Sequence, residues 1–200
     1  MTFSCKIRAD YDIPNSAIIG KGVCIKATAA GAQIINSKVD FEATVGAGAT
    51  TTPRVVDADT NGVTIIGSDL TRIANPGVKV FAVNHGGGAL VIQNSTIDLG
   101  AVNNANSDND SRAVRSIATS GSIILTGNIF RGYNKVGQPV VAITGNLGKT
   151  PQQIASNQFQ ITETGTIGIL LPTNTPDTLI DQYANRSGNT FGASTRRVER

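Results

Sequence analysis

Asp69 and Asp98 are the acidic residues whose spacing could support chemistry. On stacked extended segments they fall one layer and two residues apart. With ~4.8 Å between strands and ~3.3 Å per residue, their Cα atoms lie about 8 Å from each other. Inverting glycoside hydrolysis needs two carboxyls about 6.5–9.5 Å apart, because a water must fit between them. Asp40, Asp98 and Arg131 form a second set, with the metal-holding acids and nearby base of a polysaccharide elimination. Against both stands the usual role of outward Asp and Lys on a β-face, which is solvation and cross-strand pairing. Lys38 beside Asp69 fits such a pair. The expectation is therefore that Asp69 and Asp98 are surface residues and that no catalytic set exists. Asp40, Thr71, Asp98, Arg131 and Gln160 then form an outward row suited to binding.

The other chemical candidates are weaker. His85 is the only histidine, in Asn84-His85-Gly86-Gly87-Gly88. It can neither complete a metal site nor serve a nucleophile, and it reads as an exposed turn residue. The glycine triplet lacks the lysine and the strand-loop-helix setting of a phosphate loop. Asn106-Ser107-Asp108-Asn109-Asp110-Ser111 resembles part of a calcium loop but lacks the glycine at position six and the acid at position twelve. No cofactor motif and no metal-ligating set emerge. Cys24 sits in the apolar run Gly22-Val23-Cys24-Ile25 and reads as a buried free thiol.

These residues must be positioned by a repeat. Seven segments carry a small turn residue, then Ser or Asn, then a variable residue, then a large apolar one. The Ser/Asn positions are Ser16, Ser37, Ser68, Ser95, Asn128, Asn157 and Asn189, spaced by 21, 31, 27, 33, 29 and 32 residues. Three residues earlier stands an aliphatic in six copies: Ile13, Ile34, Ile65, Ile92, Leu125 and Ile154. The seventh has Arg186 there and is degenerate. A period near 30 with irregular lengths argues against helical solenoids and fits stacked β-coils, which accept insertions at their turns. The aliphatics on either side of the turn point inward, and the Ser/Asn side chains stack in a ladder along the axis. Each coil also carries a second apolar strand, such as Val78-Lys79-Val80-Phe81 or Thr166 to Leu171. The fold expected is all-β: a right-handed parallel β-helix of about seven coils spanning residues 13–193. A lead-in at 1–12 and a basic, solvated tail at 194–200 flank it.

The composition agrees. The chain is 40% hydrophobic but 4% aromatic, without Trp, so its core is built from Ile, Val, Leu and Ala. A net charge of +3 is too small for a nucleic-acid binder, and no apolar run reaches the ~18 residues that cross a membrane. The first residues show no signal peptide, which predicts synthesis and folding in a cytoplasm. Lys38, Asp69, Thr96, Ile129, Gln158 and Thr190, each just after a ladder residue, form an outward row beside the binding row. Two long insertions, Ala43 to Pro53 and Gly100 to Ser111, leave from one corner.

On the ladder and its period, residues 13–193 resemble the pectate-lyase-like superfamily of right-handed β-helices, which includes carbohydrate lyases, glycoside hydrolases and phage tailspikes. The resemblance implies fold more than activity. With this composition it implies a virion structural or attachment protein: a phage tail-spike or fibre module, or a capsid-surface protein. Such a protein would be a homo-oligomer, a trimer in particular, and would contact other virion proteins or a host-surface glycan. The alternatives are a polysaccharide-degrading enzyme using the outer-face acids and a bacterial surface adhesin.

Overall fold

Six residues in left-handed backbone conformation set the shape of the coil. They are Asn36, Gly67, Asn94, Gly127, Ser156 and Gly188, with φ between 47° and 70°, and each stands immediately before a ladder position. Such angles suit Gly and Asn and turn an extended chain sharply. At Gly67 and Gly127 there is a further reason: an added Cβ would lie 2.6 Å from Asn36 Oδ1 and 2.5 Å from Asn94 Oδ1. Asparagine in one coil thus fills the space left by glycine in the next.

The computed structural model describes residues 2–9, 16–18, 23–44, 52–74, 79–100, 111–132, 134–193 and 195–200. The chain is an all-β parallel solenoid of about five turns with three walls per turn. The first wall contains Val23–Ala27, Arg54–Asp59, Phe81–His85, Arg112–Ser116, Pro139–Ile143 and Thr166–Leu170. The second contains Gln33–Ile35, Val63–Ile66, Ala89–Gln93, Ser122–Thr126 and Gln153–Ala155. The third, here the ladder wall, contains Ser37–Thr44, Asp69–Ala74, Thr96–Asp98, Ile129–Gly132, Gln158–Ile161 and Thr190–Phe191.

Burial follows the alternation expected of strands with one face inside. Ile34, Ile65, Ile92, Leu125 and Ile154 stack inside the second wall, and all are buried. Val39, Leu70, Ile97, Phe130, Phe159 and Phe191 stack in register inside the ladder wall. Phe159 stacks on Phe191 at 4.7 Å between ring centroids.

Five turns replace the seven expected because both terminal copies do something else. The 21 residues between Ser16 and Ser37 are fewer than any other repeat has, too few for a circuit of three walls. Ser16 lies instead in Ser16–Ile18, which pairs antiparallel with Val23–Ala27, so its backbone stands in a different sheet from the ladder. Thr2–Ala9 runs antiparallel along Ser37–Thr44 and covers the first edge of the ladder wall. In the degenerate last copy the second-wall strand is replaced by a short helix, Asp177–Asp181, and a π-turn, Gln182–Arg186. Leu179 and Tyr183 of that segment are buried, and the Tyr183 hydroxyl accepts the Gln152 N–H at 2.7 Å. At five turns the stack is about 24 Å tall.

Three further expectations are corrected. The basic C-terminus is no frayed tail: Thr195–Glu199 is the last parallel strand of the first wall. Its charges are held by neighbours, Arg196 by Glu199, Arg197 by Asn185 and Arg200 by Asp177. A charged edge of this kind resists pairing with another sheet. Cys24 is buried as expected, but it is disulfide-bonded rather than a free thiol. His85 is wholly buried rather than exposed, because it ends a first-wall strand and stacks over the next coil.

Candidate binding faces

The ladder is the scaffold on which the outward residues of the ladder wall stand. The backbone N–H of Ser37 donates to Ser68 Oγ at 3.1 Å, and that of Ser68 to Ser95 Oγ at 3.1 Å. Ser95 donates to Asn128 Oδ1 at 3.0 Å, Asn128 to Asn157 Oδ1 at 3.1 Å and Asn157 to Asn189 Oδ1 at 3.0 Å. Each coil is thereby pinned to the next at the residue before its outward row begins.

Two outward rows follow. Lys38, Asp69, Thr96, Ile129, Gln158 and Thr190 are aligned in register, and so are Asp40, Thr71, Asp98, Arg131 and Gln160. The residues of both rows thus stack along the wall. Two of the three acids among them, Asp40 and Asp98, are engaged by neighbours. Asp98 Oδ2 accepts the Arg131 Nε–H at 2.8 Å, and its Oδ1 accepts the Gly100 N–H at 2.8 Å. Lys38 faces Asp69 in register, but its ammonium lies 3.6 Å from Asp40 on its own strand. Asp40 is more enclosed than an outward residue would be, with its side chain only 12% exposed. Asp69 is exposed, while Asp98 is partly covered.

Comparison with known protein families, with curated proteins and with solved structures finds no match to this chain.

The first wall carries a cluster that the sequence reading passed over. Arg54, Phe81 and Arg112 stack in register through three coils, and Asp57, Asn84 and Arg115 form the adjacent row. Arg54 Nη1 donates to Asp57 Oδ2 at 2.9 Å, Asn84 Nδ2 to Asp57 Oδ1 at 2.8 Å and Arg115 Nη1 to Asn84 Oδ1 at 2.8 Å. The cations of Lys79, Arg112 and Arg115 stand 5.1–5.6 Å from the Phe81 ring centroid. Burial, then the nearby charges of Arg112 and Arg54, push the Arg115 guanidinium below its usual range. The available signal was Arg at the first position of two equivalent strands, Arg54-Val55-Val56 and Arg112-Ala113-Val114.

A second missed residue is Arg72. It takes the register position of the inward Phe41 and is buried. Burial lowers its pKa to about 10. Its Nη1 donates to Ser111 Oγ at 3.3 Å, and the same oxygen accepts the Val80 N–H at 3.1 Å. Arg72 therefore fixes the point where the chain re-enters the wall after the second long insertion. Residues 45–51 and 101–110, and with them most of both insertions and of the calcium-like segment, lie outside the described residues.

His85 belongs to the packing rather than to a site. Its Nε2 lies 3.3 Å from the Gly88 carbonyl, which can only accept, so Nε2 carries the proton. Nδ1 then accepts from Ser116 Oγ at 3.0 Å. Burial lowers the imidazole pKa, and the ring is held neutral.

Proposed function

We propose that the chain is a virion structural or attachment module: a rigid β-helix of the pectate-lyase-like kind, closest in character to a phage spike or fibre domain. It works in a homo-oligomer or at a fixed position in a symmetric particle, and presents its outer faces to other virion proteins or to a host-surface glycan. The observation that carries this reading is the ladder wall. Its outward rows are fixed in register from below by the buried hydrogen-bond chain, and the carboxylate of Asp98 is fully engaged within the wall. A surface so pre-organised loses little entropy on binding.

The test is to measure binding of the purified protein to bacterial envelope polysaccharides and to whole particles, and to assay the same polysaccharides for released reducing ends. The reading expects saturable binding or particle incorporation without cleavage. Cleavage that disappears in the Asp69→Asn, Asp98→Asn double variant would replace it with the hydrolase reading.

A further inference from the structure

The first edge of the ladder wall is covered by a strand that has a single partner. Thr2–Ala9 pairs with Ser37–Thr44 and with no other strand of its sheet. Phe3, Cys5 and Ile7 take the register of Ala43, Phe41 and Val39, and of these Phe41 and Val39 are buried. Lys6 stands opposite Asp40, but Arg8 stands opposite Lys38. Like charges directly opposite each other on neighbouring strands are destabilising. An edge strand held by one neighbour and carrying such a pair opens at low cost. A covalent bond offsets this. Cys24 is disulfide-bonded, no cysteine is free, and the chain's one other cysteine is Cys5. The bond therefore joins Thr2–Ala9 to Val23–Ala27, which approaches it in space but belongs to a different sheet.

We infer that the Cys5–Cys24 disulfide is a redox latch on the N-terminal strand. In oxidising surroundings it holds Thr2–Ala9 over the first coil; its reduction lets that strand leave and bares the edge of Ser37–Thr44. A bond between residues 5 and 24 removes much of the freedom the strand would gain by leaving. Cys24 is only 1% exposed, so a reductant reaches the bond when the strand frays and the latch releases slowly. Reduction by a dithiol breaks the S–S bond, leaves a protonated thiol on each cysteine and oxidises the dithiol to its cyclic disulfide. Cytosolic thiol pools keep such pairs reduced, whereas oxidising surroundings keep them bonded. A chain made in a cytosol is thus unlatched there and sealed on leaving it. An open strand edge pairs readily with another strand. The latch therefore decides when the first coil is available to a partner strand and when it is closed. The inference goes beyond the proposed function and holds whether or not the chain sits in a virion.

The experiment is limited trypsin digestion of the full chain, either air-oxidised or reduced with dithiothreitol and alkylated, with cleavage sites read by mass spectrometry. Lys6 and Arg8 report on the N-terminal strand, and Arg72 and Arg115 report on the body of the solenoid. The oxidised chain is expected to titrate no free thiol, to run as a monomer in denaturing electrophoresis without reductant, and to resist cleavage after Lys6 and Arg8. Reduction should speed cleavage at those two sites by about tenfold or more, while Arg72 and Arg115 stay protected. Cys5→Ser should behave like the reduced chain with or without reductant. Equal cleavage after Lys6 and Arg8 in both states overturns the inference, as do free thiols in the oxidised chain or a disulfide-linked dimer. Equal loss of protection at Arg72 and Arg115 overturns it too, because the bond would then hold the whole fold rather than one strand. Failure of Cys5→Ser to fold carries the same meaning.

Discussion

The two halves of the ladder solve the same problem with different residues. In the first coils the rungs are Ser37, Ser68 and Ser95; in the last they are Asn128, Asn157 and Asn189. A serine hydroxyl accepts one N–H from the preceding coil and returns its proton mostly within its own coil, as Ser95 does to the Gln93 carbonyl at 2.8 Å. An asparagine does more. Asn157 Oδ1 accepts both the N–H and the Nδ2 of Asn128, while its own Nδ2 donates to the Leu125 carbonyl one coil back and to Asn189 Oδ1 one coil on. The core beneath changes in the same place, from Val39, Leu70 and Ile97 to the rings of Phe130, Phe159 and Phe191. The difference teaches that the C-terminal half is the more tightly bonded part of the solenoid, and that the N-terminal half relies more on aliphatic packing.

The harshest way to break the comparison is to destroy the stack both halves share. Ile92→Asp puts an unpaired carboxylate between the halves and should cost about 5 kcal/mol or more, enough to prevent folding; soluble yield and circular dichroism read it. Gly121→Ala should be nearly as severe. Gly121 has φ +107°, and an added Cβ would lie 1.9 Å from the Gly88 carbonyl oxygen, in backbone that cannot move aside cheaply.

The next pair sharpens the comparison directly. Asn157→Ala orphans the buried N–H of Asn128 and removes one of the two bonds of its side-chain amide, leaving the one to the Ile92 carbonyl, and should cost about 3 kcal/mol, whereas Ser68→Ala orphans the single N–H of Ser37 and should cost about 1–2 kcal/mol. Denaturant unfolding of the two variants measures the gap; equal losses would mean that the second set of asparagine bonds adds nothing.

How much of this was visible in the sequence depends on how local the cause is. Six of the seven ladder positions, the aliphatics before them from Ile34 to Ile154 and the two outward rows follow from a short pattern whose every member has a nearby physical job. The left-handed residue, the inward aliphatic and the rung sit within four residues of one another, so one repeat unit displays them all. Coil count did not follow, because the first copy has the residues of a rung but a segment too short to close a circuit. His85 was misread for a related reason. Its neighbours Gly86, Gly87 and Gly88 signal a turn, but its burial is decided by Ser116 in the next coil, 31 residues away. The Arg54–Phe81–Arg112 stack was hidden in the same way: each residue is an ordinary strand residue until the coils align. The disulfide state of Cys24 is likewise fixed by tertiary proximity, which spacing in sequence does not report.

Smaller effects test the margins. The folded-state pKa of His85 is lowered by burial from its ordinary 6.5, so the unfolded chain takes up the proton first as pH falls. Stability should therefore be full above that ordinary value and decline below it, until the folded pKa is also passed. Melting temperatures of the wild type and of His85→Gln between neutral pH and pH about 5 check this; the variant should lose that part of the slope. Asp98→Asn should have the smallest effect, under about 1 kcal/mol, because its partner Arg131 is half exposed and water screens the pair.

Hydrogen exchange at the rung amides tests the central claim most directly. The N–H groups of Ser37, Ser68, Ser95, Asn128 and Asn157 each donate to the next rung, and all should be strongly protected, with Asn128 and Asn157 the slowest to exchange. Rung amides that exchange as fast as those of the exposed Thr119 and Ser120, or a gradient with Ser37 and Ser68 the slowest, would contradict the ladder as the bond that holds the coils in register.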